Sequence, residues 1–312
     1  MEKSTVIPHL EVVVGCVLSG TMGIFLNLIQ DMSAVSILSW RMLFGFCILL
    51  LYLILARDLG KVRLGKKKRY LLLLGFLNSV TGFCFFSAIK YCGISVALLL
   101  LYTAPVYVSL LAPLLLKENR NDKSLPGLVL AIAGVVLIAQ PGNILNNLGT
   151  SNSHFLGLAF GLLSGFAFSG IFLTSRYLKD AYNGTSQTFW ITAVGMLLTF
   201  PAALSTPLPL LAQNMHLLFF LALVVTLASV LYLKGIPKVG AQKGSILALS
   251  EPVAGIFFAY IILKEPVFLS TILGCCFIIG AALLVSVKLS FRLAKRPLVE
   301  VCDEIGTDPD YP

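Results

Sequence analysis

Apolar residues in this chain come in blocks of about twenty, parted by brief polar breaks, and that spacing predicts helices that cross a lipid bilayer. A spanning helix needs about 20 largely apolar residues. Runs of this kind lie near 10–29, 33–56, 70–90, 94–116 and 125–140, then near 155–178, 187–204, 215–235, 240–263 and 267–287. The run at 125–140 is the shortest. Connections are a few residues long except 141–153, which is rich in Asn, Gly and Ser, and 205–214, which is rich in Pro. None is long enough to house a soluble domain. From Arg292 to Pro312 the chain turns polar and Pro-containing, and a flexible tail is expected there. The expected fold class is an all-α integral membrane protein of ten transmembrane helices.

Composition agrees with that pattern. Hydrophobic residues make up 58% of the chain and charged residues 12%, against roughly a quarter charged in soluble domains. So few charges cannot cover a water-facing surface of this length. Only Glu2 and Lys3 carry charge ahead of the first apolar run and no small-residue cleavage site follows it, so that run is read as a retained helix. The seven cysteines show neither a CxxC nor a His/Cys ligand spacing, which predicts no zinc site and no disulfide framework. No cofactor is implied.

The charge of +9 is unevenly placed. With the N-terminus in the cytoplasm, every other connection is cytoplasmic, and those connections hold Arg57, Lys61, Arg63, Lys66, Lys67, Lys68 and Arg69, then Lys117, Arg120 and Lys123. Arg176, Lys179, Lys234 and Lys238 follow, and the tail adds Lys288, Arg292, Lys295 and Arg296. The outer connections keep little beyond Lys90 and Lys264. This asymmetry predicts both termini in the cytoplasm of a multi-pass protein of the cell membrane. It also accounts for the basic run ending at Arg69 without nucleic acid, although an anionic lipid surface is a second reading of that run.

The second half of the chain repeats the first. Pro105 and Lys117-Glu118 return as Pro252 and Lys264-Glu265 at one offset of 147 (252 − 105, 264 − 117). The same shift lays Gly23-Ile24-Phe25-Leu26 on Gly170-Ile171-Phe172-Leu173, Gly93 on Gly240 and Gly127 on Gly274. A slightly larger shift of 150 (190 − 40) lays Ser36, Trp40 and Gly45 on Ser186, Trp190 and Gly195. Matching prolines and charges in one register are not expected by chance in apolar sequence, so the duplication is real. The expected units are 1–146, 147–290 and the tail 291–312. Five spans per half is an odd number, so the copies must enter the membrane in opposite orientations. Inverted repeats are the architecture of alternating-access transporters, with substrate held near the midplane where the halves meet.

Several motifs together resemble the drug/metabolite transporter superfamily, and within it the ten-helix EamA-type carriers. They are Trp40-Arg41 in the second span, Tyr102-Thr103-Ala104-Pro105 and Lys117-Glu118 in the fourth, Ser250-Glu251-Pro252 in the ninth, and Lys264-Glu265 after it. Glycine-rich fifth and tenth spans, around Gly127/Gly134 and Gly274/Gly280, belong to the same pattern. The resemblance covers residues 10 to 288 and implies a carrier of small metabolites, most readily an exporter. It carries little information on substrate. This chain departs from symmetry at one point: Ala104 stands where the second copy has Glu251.

Six residues are candidates for the substrate route or its coupling: Arg41, Asn78, Tyr102, Pro105, Glu251 and Pro252. An ionised carboxylate at the depth of Glu251 costs about 2.5–3.5 kcal/mol on insertion scales, so this residue either exchanges a proton during transport or staples helices. Arg41, about 10 Å inside its span, either clamps a substrate carboxylate or phosphate with its planar fork or snorkels to the headgroups. Pro105 and Pro252 each lack a backbone donor and leave a carbonyl four residues earlier unpaired, near Leu101 and Ala248, and so mark either a broken-helix binding site or an ordinary kink. Ser95, Leu98, Tyr102, Pro105 and Ser109 share one helix face, and Asn78, Ser79 and Thr81 enrich the third span, but such hydroxyls often bond their own helix.

The favoured reading is a secondary transporter, an exporter of an amino acid or similar small amphiphile, working by alternating access as a monomer or homodimer with protons as a coupling ion. An uptake permease is the nearest alternative. A membrane-embedded enzyme is the alternative from another class, but no HExxH, paired-aspartate or nucleophile motif occurs. A non-transporting scaffold would have no use for two inverted halves.

Overall fold

Without water in the hydrocarbon layer, a crossing segment must satisfy its backbone polar groups internally, and a helix does this alone. The structure, a computed structural model, describes residues 3–118, 124–139 and 152–286, with side chains for 6–118, 124–139 and 155–286. Among these residues the ordered secondary structure is entirely helical. Nine helical stretches are long and apolar enough to span a membrane: Val6–Leu28, Ala34–Leu55, Lys68–Cys92, Ile94–Leu116, Phe155–Tyr177, Gly184–Leu204, Leu208–Val239, Ala241–Leu263 and Leu269–Ser286. The shorter apolar helix Ser124–Ala139 falls fifth in order and completes ten, here called spans 1 to 10. The chain is thus an all-α multi-pass membrane protein of two inverted five-helix repeats. Of the linker 141–153, residues 141–151 lie outside the described residues, as do the unit boundary at 146, Lys123 and the tail, while Asn152 and Ser153 begin the next helix.

Span 8 differs from the sequence reading. It begins at Leu208 rather than 215 and runs for 32 residues, so the Pro-rich connection shrinks to a turn. The reason is positional: Pro207 stands at the N-cap and Pro209 in the first turn, where a missing N–H leaves no intrahelical bond unmade. His216 accordingly lies within the helix rather than at its start.

The prolines at 105 and 252 do break their helices. Span 4 is two pieces, Ile94–Leu101 and Ala104–Leu116, with Pro105 at the start of the second. Span 9 breaks at Leu249 into Ala241–Ala248 and Ser250–Phe258, then closes with a wider turn over Ala259–Leu263. Span 1 breaks as well, at Thr21 between Lys3–Gly20 and Met22–Leu28. There the Thr21 hydroxyl donates to the Leu18 carbonyl at 2.7 Å, and no proline marks the place in sequence.

The repeat is visible in local geometry at opposite faces. Ser33 caps span 2 by accepting from the Ser36 N–H at 3.1 Å, and Asn183 caps span 7 by accepting from the Ser186 N–H at 2.9 Å. Trp40 Nε1 donates to Thr206 Oγ1 at 3.2 Å, and its counterpart Trp190 donates to the Val62 carbonyl at 3.0 Å. Gly93 and Gly240 open spans 4 and 9 with φ of 81° and 101°, a region that glycine enters without a Cβ penalty. They let each chain reverse through a single residue.

The two halves do not stand side by side. Span 3 packs along span 6, span 1 along span 8, span 2 against span 7, and span 5 against span 10. Every one of these pairs crosses between copies. Close approach is set by glycine: a Cβ on Gly134 would lie 2.7 Å from the Gly274 carbonyl, and one on Gly274 2.6 Å from that of Gly134. Small residues at helix crossings serve packing where lipid supplies no hydrophobic drive.

Candidate functional site

The break in span 9 puts Glu251 in the first turn of a half-helix, midway along the span Ala241–Leu263. A helix start exposes unpaired N–H groups and carries partial positive charge, which favours an acid there. Span 1, itself broken, lies across this turn. A Cβ on Gly20 would come 2.8 Å from the Gly255 nitrogen and 2.9 Å from the Glu251 carbonyl, so the glycine is what admits the contact. In the first copy the same turn carries Ala104, fully buried. The acid therefore occurs once in a twofold frame.

Glu251 faces a cavity of about 1000 Å³ between the halves. Arg41, Asn78, Tyr102 and Pro252 line the same cavity. Of the six candidates, five are thus brought together from spans 2, 3, 4 and 9. Pro105 is not; it is buried in packing and only sets the break that places Tyr102. Arg41 and Glu251 lie within electrostatic reach of one another, yet no ion pair joins them, and the Arg41 Nε is buried without a partner. The Asn78 amide makes no hydrogen bond among the described residues. An unpaired cation, an unpaired acid and a free amide around one space are what a small polar ligand requires.

Not every expected hydroxyl reaches it. Ser95, Leu98 and Tyr102 line the cavity, whereas Ser109 donates to the Val106 carbonyl at 2.8 Å, and Ser79 to that of Gly75 at 3.0 Å. In span 6, Ser164 and Ser169 likewise bond carbonyls of their own helix. Residues not singled out in sequence complete the lining: Cys16 and Ser19 of span 1, Ser229 and Tyr232 of span 8, and the aromatic rings of Phe85, Phe86, Phe168 and Phe268. The Tyr232 hydroxyl is buried without a partner. No motif in spans 1 and 8 marks these side chains, so only their positions across from spans 2 and 9 give them a role.

The cavity reaches one face. Its lining includes Gly93, Ile94, Ala139, Glu265 and Phe268, helix ends that share the face opposite the chain start. The other face is tied shut. Glu118, at the end of span 4, accepts from Arg176 Nε at 2.8 Å and from the Ala241 N–H at 3.3 Å. Arg176 also donates to the Pro237 carbonyl. This clasp joins spans 4, 6, 8 and 9. Glu11 of span 1 adds contacts of 2.6 Å to Lys234 and 3.9 Å to Lys238 of span 8.

A duplicated, inverted set of broken helices, around a largely apolar cavity that holds a few polar groups and opens to one side, defines a membrane transporter. Comparison with known proteins agrees. The model of the EamA-like transporter family matches residues 7–140 and again 155–287, and the chain belongs to that family. It is 29% identical over 285 residues to an uncharacterized transporter of Archaeoglobus fulgidus, across 90% of this chain and 95% of that one. It is 25% identical to the uncharacterized transporter YetK of Bacillus subtilis, across 77% of this chain and 75% of that one. A solved crystal structure superposes with a TM-score of 0.75 at 17% identity, covering 89% of this chain and 95% of its own, which speaks to the fold.

Proposed function

We propose that this transporter is a secondary carrier that exports a small zwitterionic metabolite, an amino acid or close analogue, by alternating access. One observation carries the reading: Arg41 and Glu251 face one cavity of about 1000 Å³ without pairing with each other. A guanidinium matches a substrate carboxylate in a two-point fork, and Glu251 can accept a substrate ammonium or a proton. Asn78 and Tyr102 supply neutral hydrogen bonds, and the phenylalanines bound the apolar part. Pro252 keeps the half-helix start in place. The cavity can hold a ligand of this size, since small-molecule sites run to about 300–1,000 Å³.

The Glu118–Arg176 clasp supports the alternating part of the proposal, because a carrier must close one face while the other is open. Charge asymmetry supports a cell-membrane protein with both termini in the cytoplasm, so the open face is the outer one. Export is the direction that the family resemblance favours. The test is transport by purified protein in liposomes with an ordered panel: amino acids, their amines lacking the carboxylate, their acids lacking the ammonium, and neutral sugars. The reading requires saturable movement of the zwitterions with loss on removing either charge. Equal transport of the neutral sugars would end it.

A further inference from the structure

On the face where spans 1 and 9 begin, the connection between spans 2 and 3 is fastened down. Ser186 Oγ donates to the Lys61 carbonyl at 2.5 Å and Trp190 Nε1 to the Val62 carbonyl at 3.0 Å. The Gly65 N–H donates to the Tyr182 hydroxyl at 2.8 Å. Lys67 Nζ donates to the Tyr177 carbonyl at 2.9 Å while lying 4.0 Å above that ring. Arg57 and Lys67 take left-handed φ of 54° and 65°, uncommon for residues with a Cβ. Orienting the protein in the membrane requires positive charge on this face, but a loose loop of the same composition would serve. Four long-range hydrogen bonds, from three side-chain donors and one backbone N–H, are more than topology needs.

Their effect is to hold cations around an open pocket of about 620 Å³. Lys61, Arg63, Lys66 and Lys67 line it, with Asp180 as its one carboxylate and Asn183 and Ser186 as neutral donors or acceptors. Lys61 is partly engaged: Asp58 binds it at 2.5 Å and holds its ammonium above its ordinary value. Arg63 and Lys66 form no ion pair among the described residues. Lys67 immediately precedes the start of span 3, whose first N–H groups add positive character. Tyr52, Tyr70 and Tyr177 are exposed around the same helix ends, the level at which tyrosine sits among lipid headgroups.

We propose that this pocket is a binding site for a phosphate-bearing anion, and that at this depth the ligand is the headgroup of an anionic phospholipid. Arg63 and Lys66 are the free cations that bind it, and Lys61 and Lys67 shape the rim. The placement on the anionic inner leaflet rests on the orientation proposed above, but the pocket itself does not depend on transport. Soluble phosphate has the same chemistry and is the other source.

The test uses the purified full chain in zwitterionic detergent, titrated with phosphatidylglycerol, phosphatidylcholine or inorganic phosphate while the thermal unfolding midpoint is followed. Phosphatidylglycerol should raise the midpoint saturably and phosphatidylcholine should not. The Arg63→Gln/Lys66→Gln variant should unfold at the wild-type midpoint without lipid and need roughly thirtyfold more phosphatidylglycerol for half its effect, at about fivefold per cation. A charge-matched control, Lys117→Gln/Lys179→Gln, should respond as wild type. Protection by inorganic phosphate at matching concentrations, lost in the same pocket variant, keeps the site and assigns it to a soluble anion. Protection by neither anion, an unaltered pocket variant, or an equal loss in the control overturns the proposal.

Discussion

Glu251 is the residue on which the proposed mechanism turns, because among the acids that line the cavity it is the one that the repeat does not duplicate. If it couples transport to protons, Glu251→Gln should abolish accumulation driven by a pH gradient while counterflow exchange persists. Exchange needs only the loaded carrier to reorient, whereas net movement needs a proton-linked return. Pairwise readings of both assays in liposomes decide this, and pH-driven accumulation by a folded Gln variant would rule coupling out. Arg41 separates in a different way. Arg41→Lys keeps the charge but loses the planar fork, and a hydrogen bond to a charged group is worth about 1.5–3 kcal/mol. Substrate affinity should therefore fall about tenfold or more while membrane insertion and the thermal midpoint stay unchanged. Equal affinity in the Lys variant would mean that Arg41 supplies charge alone.

Helices here are positioned by glycines whose absent side chains let backbones touch. Gly134 and Gly274 each set their missing side chain against the other's backbone carbonyl across spans 5 and 10, so neither can accept a methyl by moving a flexible neighbour. Gly134→Ala should destabilise by about 1–3 kcal/mol, the usual cost of overpacking, seen as a lowered unfolding midpoint. Gly23 is the contrast, since nothing lies within 4 Å of a Cβ there and it lines the cavity. Gly23→Ala should leave the midpoint unchanged and alter substrate affinity instead. A shift of equal size in both would show that intrinsic helix propensity, not contact, sets the outcome.

Across the assembled halves, inverted symmetry says what the second state of the carrier should contain. Glu118 clasps the Ala241 N–H on the closed face, and the offset of 147 maps this pair onto Glu265 and Ile94, which both line the open mouth. When the face closed here opens, Glu265 should come to rest against the start of the Ile94–Leu101 helix. In a background without native cysteines, Ile94→Cys/Glu265→Cys should cross-link during transport and arrest it, and Glu118→Gln should raise the cross-linking rate by weakening the clasp. Cross-linking that is absent, or indifferent to Glu118, would disconnect the two faces. The orientation itself is checked by single-cysteine labelling: Lys66 and Lys179 should react from the cytoplasm, and Pro209 from outside.

Much of this was legible in the chain. Ten apolar runs, the 147-residue offset and the lone Glu251 are one-dimensional facts, and an odd number of spans per copy makes inversion a matter of counting. The prolines announced the breaks in spans 4 and 9 because a missing N–H acts locally. Thr21 did not announce the break in span 1, since its hydroxyl bonds its own helix in the way many unbroken helices tolerate. The long start of span 8 was hidden because Pro207 and Pro209 read as loop until their place in a first turn is known. Above all, sequence cannot say which apolar helices become neighbours, as lipid-facing and protein-facing residues are equally hydrophobic. Burial against lipid leaves no amphipathic stripe to read. Only three-dimensional packing, span 3 on span 6 and span 1 on span 8, carries Arg41, Asn78, Tyr102 and Glu251 from four separate helices to one cavity, leaves Pro105 outside it, and brings in Tyr232 from a helix with no mark of function.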